Sequence, residues 1–299
     1  MDIVVSISSI YFFILLGWLS KVFLKAQIDE KSLVLLSIYF LQPMLVFWGL
    51  TTQEIDLSVV QAPLLFFLVI MIALSMSFLV VNYLFKEQKD RSIATVASIV
   101  GNTGNLGIPL GIALFGEGSI LYTSIINLAN LFIVNTVGVY FYARGEFSAR
   151  DAFIKIFKLP AIWFGFLALL FNAAGLKIPE NLSLSLEMGA YTTMVLQLFI
   201  FGMYLYSVKI SDIDKKLITF VTVMKFVAIP LLAIMILQFF TLSDMVYNVI
   251  LLELLVPLAV MNVNLAALYD CRVNQVTFLV FSSSFIFLGY LFFVLGLFR

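Results

Sequence analysis

The chain has no histidine and one cysteine, Cys271. Without histidine it lacks the commonest metal ligand and the commonest general base, and no Ser-His-Asp or Cys-His nucleophile can be assembled. One cysteine excludes an internal disulfide and a thiolate cluster. Charge is scarce: 11% of residues are Asp, Glu, Lys or Arg, against about 25% in soluble domains. The net charge is zero and there is no basic run, so no nucleic-acid partner is expected. No clustered pair of carboxylates offers acid–base chemistry. An enzyme is not expected, nor a resident cofactor or metal.

What remains is apolar. The 299 residues are 63% hydrophobic, with a mean hydropathy of +1.12. Apolar runs of about 18–25 residues read as bilayer spans. They fall near 3–24, 32–52, 62–85, 92–116, 119–143, 156–175, 189–208, 217–240, 245–268 and 275–298. The expectation is an all-α polytopic membrane protein of ten transmembrane helices, with short polar connections and no room between spans for a soluble domain. The first run lacks a basic leading segment and a small-residue cleavage site, so it reads as a span.

The basic residues set an orientation. The loops after the odd-numbered runs hold almost all of them, including Lys21, Lys86, Arg91, Arg144, Arg150, Lys215 and Arg272; the opposite side has only Lys177 and Arg299. The positive-inside rule puts those loops in the cytoplasm and both termini outside, in a plasma (inner) membrane.

The chain also repeats itself. A first five-helix half, 1–143, joins a second, 153–299, through a short cytoplasmic linker at 144–152. An odd number of spans per half inverts the second relative to the first. Gly101-Asn-Thr-Gly-Asn-Leu-Gly-Ile-Pro109 interrupts the fourth run, and Glu253-Leu-Leu-Val-Pro257 through Asn262 and Asn264 interrupts the ninth. Pro109 and Pro257 lie 148 residues apart, close to the offset of the halves. Paired Gly/Pro-interrupted spans at matching places point to a transporter's central site.

The polar residues of those breaks are the candidate solute ligands. Asn102, Thr103 and Asn105 bring amides and a hydroxyl, among glycines that admit close approach. A small-residue packing face is the alternative reading. Pro109, Pro257 and Asn262 mark half-helix ends, whose N–H groups and dipole suit an anion; a plain proline kink is the alternative for Pro257. Asn127 and Asn130, at i, i+3 spacing in the fifth run, can face the break. Gln42 and Gln197 are candidates for the same reason. Lys225 and Glu253 are ionisable residues inside spans, a costly placement. Glu253 can carry a coupling proton or hold sodium, with Lys225 as its counter-charge; a static ion pair is the alternative.

Several stretches resemble the auxin efflux carrier family, in its bacterial malonate- and malate-type permease branch. They are Ile38–Phe47, Gly101–Leu110, Leu198–Leu205, Lys225–Pro230 and Pro257–Tyr269. The resemblance spans essentially the whole chain. It implies two inverted five-helix repeats, similar to bile-acid/sodium symporters and sodium/proton antiporters. Broken helices four and nine would cross at Asn105–Pro109 and Pro257–Asn262, and one bundle would move against a scaffold. The chain lacks the long central loop of plant carriers, which puts auxin itself in doubt. The expected function is secondary transport of a small organic anion, a mono- or dicarboxylate, coupled to H⁺ or Na⁺ or uncoupled, with the bilayer and a second copy in a homodimer as further partners. A sodium-coupled bile-acid-type symporter is one alternative. A membrane ligand sensor is the alternative from another class.

Overall fold

A computed structural model describes residues 2–55, 57–143, 157–206 and 213–298. It is 84% helix, with no strand among the described residues. Helices lie on each of the apolar runs. They are α1 (Asp2–Leu24), α2 (Glu30–Thr51), α3 (Leu57–Leu84), α4a (Gln88–Val96), α4b (Thr103–Phe115), α5 (Glu117–Tyr142), α6 (Pro160–Ala173), α7 (Glu180–Tyr206), α8 (Lys215–Leu237), α9a (Asp244–Leu255), α9b (Met261–Leu268) and α10 (Val273–Val294). The 144–152 linker lies outside the described residues.

Among the described residues, six helices are long and apolar enough to cross a membrane: α2, α3, α5, α7, α8 and α10. Outward faces carry bare apolar rings, with Phe23 77%, Tyr83 92% and Phe239 81% exposed. Such surfaces are at home in lipid and not in water. The chain is a multi-pass membrane protein.

Three prolines shape helices without ending them. Pro43, Pro109 and Pro230 each follow a π-turn, at Ser37–Leu41, Thr103–Gly107 and Met224–Ala228. A proline ring collides with the carbonyl four residues back. Widening the preceding turn relieves this: the residue before each proline donates its N–H five residues back, as Ile108 does to Thr103.

The helices gather into two groups. In one, α1 packs along α7, α6 along α2, and α2 along α7. In the other, α9a packs on α3, α8 and α5, and α9b on α10. Two apolar clusters run through them. The larger draws mainly on α3, α4, α8, α9 and α10, the smaller on α2, α5, α6 and α7. At one end of the second group, Arg272 pairs with Glu87 at 2.6 Å and Asp90 at 2.8 Å, and Lys89 with Asp270 at 3.3 Å. These pairs tie the turn before α4a to the turn after α9b. Burial raises the Asp90 carboxyl above its usual value, and Arg272 opposes that rise.

The α1–α7 seam is backbone against backbone. A methyl group built on Gly202 would sit 1.9 Å from the Ile14 carbonyl oxygen, and one on Gly17 would sit 1.9 Å from that of Phe199. Helix backbone cannot step aside as a side chain can. We therefore expect Gly202→Ala to cost about 1–3 kcal/mol by overpacking. A thermal melt of the purified protein checks this; an unchanged midpoint would mean that the two helices separate freely.

Candidate functional site

The chain between α4a and α4b and the chain between α9a and α9b meet and pair. Gly101 and Leu258 form an isolated antiparallel bridge. Asn102 donates its backbone N–H to the Pro257 carbonyl at 2.9 Å, and Ala259 donates to Val100 at 2.9 Å. Several other backbone groups at the breaks also have partners. Leu258 N–H donates to Ser283 Oγ at 3.1 Å. The Gly101 carbonyl accepts from Asn130 Nδ2 at 2.9 Å, and the Val100 carbonyl from Asn262 Nδ2 at 3.1 Å. Leu106 and Gly107 N–H both return to Asn102. In an apolar surrounding an unpaired backbone group costs several kcal/mol, so two broken helices are stable only when each completes the other.

The crossing is therefore Val100–Asn102 against Pro257–Ala259, not Asn105–Pro109 as the resemblance implies. Pro109 lies further along α4b, past the π-turn it imposes. It does not line the cavity described below. Asn262 is fully buried and braces the crossing, bonded to Val100, to the Ala259 carbonyl and to the Tyr142 hydroxyl. Pro257 contributes its carbonyl to the pairing.

The three glycines of the break each leave room for a polar head. A methyl group on Gly101 would lie 3.0 Å from Lys225 Nζ. One on Gly104 would lie 2.8 Å from Asn127 Oδ1, and one on Gly107 2.2 Å from Glu253 Oε2. Three residues apart, they let α8, α5 and α9a lay an ammonium, an amide and a carboxyl on the α4 backbone. The glycine face of α4 is thus packed by polar groups. Lys225 and Glu253 are each other's charged neighbours, both buried. No hydrogen bond joins them, and both Glu253 carboxyl oxygens are without a hydrogen-bond partner.

Beside the crossing is a polar cavity of about 40 Å³. The break supplies Gly101 through Asn105; α5 supplies Asn127, Asn130, Leu131 and Val134; the α9 break supplies Ala259 and Met261; Gln42 and Gln197 close it from α2 and α7. Of the sequence-derived candidates, Asn102, Thr103, Asn105, Asn127 and Asn130 thus come together, joined by both glutamines. Pro109, Pro257, Asn262, Lys225 and Glu253 stand outside its wall. Asn135 bonds within its own helix to Leu131. The apolar lining and the Tyr142 brace carried no signal in the sequence, since neither a Met among leucines nor a Tyr at a helix end is distinctive.

A hydrogen-bond relay fixes the amides. Asn130 Nδ2 donates to the Gly101 carbonyl and to Thr103 Oγ1 at 3.0 Å. Thr103, having accepted, donates its own proton to Asn127 Oδ1 at 2.9 Å. Asn127 Nδ2 is left as a buried donor without a partner. Thr103, Gly104 and Asn105 form the first turn of α4b, ahead of its own hydrogen-bond ladder. Ala259 and Met261 stand at the start of α9b. Two helix N-termini and one free amide donor converge on the cavity, an arrangement suited to negative charge.

Gly104→Ala would drive a methyl group into the Asn127 amide and break the Thr103–Asn127 bond. Expected is a purified protein that still folds, with a midpoint lowered by several degrees, but that has lost at least about tenfold in solute affinity. Calorimetric binding titration checks it.

Comparison with known proteins identifies the family. The family described as membrane transport protein matches residues 2–151 and 147–295. An uncharacterized transporter of Methanocaldococcus jannaschii is 25% identical over 278 residues, covering 90% of each chain. The chain belongs to the membrane transport protein family of auxin efflux carrier-like proteins, and is a membrane transporter and not an enzyme.

Proposed function

We propose that this transporter carries a small organic anion, a mono- or dicarboxylate, across the plasma membrane by alternating access. The observation that carries the reading is the convergence of two half-helix N-termini and the unpaired Asn127 Nδ2 on one polar cavity. None of these groups brings a full positive charge. A carboxylate can therefore be held without being trapped, as a carrier requires.

The paired breaks support the inverted-repeat reading of 1–143 and 153–299, with both termini outside the cytoplasm. Lining from α2 and α7 on one side and α4, α5 and α9 on the other supports motion of one helix group against the other. A cavity of about 40 Å³ holds a water or two, so a dicarboxylate needs the groups to part. A sterol-sized anion would need far more, which disfavours the bile-acid-type reading. A ligand sensor would use the same cavity, and net solute flux distinguishes the two.

For coupling, Glu253 is the candidate carrier. Its oxygens are unpartnered, and its charged neighbour is the cation Lys225. A sodium ion would want several oxygen ligands and would be repelled by that lysine. The arrangement favours a proton. Sodium-dependent thermal stabilisation of the wild type would reverse that preference.

Two measurements test this. Malonate and succinate should raise the melting temperature of the purified protein and enter vesicles that contain it; Asn127→Ala should weaken their binding about tenfold or more, the loss of one hydrogen bond to a charged group. Binding of uncharged solutes alone would overturn the anion reading. Separately, flux measured across a pH series should lose its pH dependence in Glu253→Gln. If the variant keeps the wild-type profile, Glu253 is not the proton carrier.

A further inference from the structure

The relay that fixes Asn127 also fixes Asn130, with the opposite result. The Gly101 carbonyl can only accept, so the Asn130 atom facing it is the amide nitrogen. That leaves Asn130 Oδ1 as an acceptor. It is buried, lacks a hydrogen-bond partner, and belongs to a side chain that lines the same cavity. Asn130 is 4% exposed, and so is Asn127. Two side chains of the cavity lining thus hold an unpartnered donor and an unpartnered acceptor, one helical turn apart on α5.

A bare carboxylate satisfies only half of this. Its oxygens accept, so it suits Asn127 Nδ2 and the helix N-termini, but it cannot donate to Asn130. In an unloaded site water can supply that proton. A solute that displaces the water must bring a donor of its own or leave a buried acceptor unpaired. Asn105 Oδ1, on the first turn of α4b, is likewise buried and unpartnered in this lining and adds to the same demand.

We propose that Asn130 is a specificity-determining acceptor: the solute carries an O–H donor beside the carboxylate, and the transporter selects for it. This rests on the anion reading above and narrows it. The donor has two chemical sources, a hydroxyl on the carbon chain or a second, protonated carboxyl group. The hydroxyl is available at every pH near neutral. The carboxyl supplies a proton only as the pH falls toward the ordinary carboxylate range, near 4–5.

The test uses matched pairs on the full-length protein in detergent: propanoate against lactate, and succinate against malate, by calorimetric titration at pH 5 and pH 8. The hydroxylated member should bind at least about tenfold tighter at pH 8, because a site built for a hydroxyl discriminates strongly against its absence. Asn130→Ala should shrink that ratio toward one. Because Asn130 also holds Gly101, the wild-type pairs decide the matter should the variant not fold. If succinate matches malate at pH 5 but not at pH 8, the donor requirement stands and a protonated carboxyl can meet it. Equal binding within both pairs at both pH values overturns the proposal while leaving the anion reading intact. If no carboxylate binds, the anion reading falls and this proposal with it.

Discussion

Everything in the functional region follows from one constraint: broken backbone in an apolar surrounding must find hydrogen-bond partners inside the protein. α4 and α9 each expose free N–H and carbonyl groups where they break. They solve the problem together, through Asn102 to Pro257 and Ala259 to Val100. What the two chains cannot satisfy mutually falls to side chains. Asn130 takes the Gly101 carbonyl, Asn262 a second bond to Val100, and Ser283 the Leu258 N–H. The polar residues at this depth are first the partners of a broken backbone. Those whose capacity exceeds that need are the ones left to serve the proposed solute site.

This ordering explains why the asparagines divide. Asn262 uses both ends of its amide, between the Val100 and Ala259 carbonyls and the Tyr142 hydroxyl. Both of its amide protons are spent on carbonyls, and its oxygen already accepts from Tyr142. Asn127 and Asn130 each spend one end on the relay through Thr103 and keep the other. Residue type alone cannot separate these cases, for all three are asparagines near a break. The difference lies in how many protein partners surround each amide.

The sequence disclosed the apolar runs, the two interruptions and the cluster Asn102, Thr103, Asn105, Asn127 and Asn130, because long hydrophobic segments make polar intruders conspicuous. The interruption read from the residues, Gly101–Pro109, includes Gly101 and Asn102 of the crossing, but the resemblance put the α4 side at Asn105–Pro109, several residues too far along. At Pro109 a π-turn absorbs the proline and the helix continues. The actual break at Val100–Asn102 has only Gly101 and Asn102 to announce it. The sequence also left open whether Lys225 and Glu253 meet. They arrive from different helices as charged neighbours that no hydrogen bond joins, Lys225 against Gly101 and Glu253 against Gly107, a relation between distant positions that no local pattern carries.

The same pairing bears on how the proposed motion could work. The crossing is held by backbone bonds, and Glu253 and Lys225 rest directly on its glycines, so α4, α8 and α9 are poorly suited to sliding past one another. By contrast, Gln42 and Gln197 reach the cavity from the other helix group, and Gln197 Nε2 spends its hydrogen bond on Ser37 within that group, at 2.7 Å. No side-chain hydrogen bond of either glutamine ties it to the crossing among the described residues. The cavity wall therefore has a strongly bonded side and a weakly bonded side. That difference supports an opening between these two sides in the proposed motion, one that leaves the backbone pairing of the crossing in place.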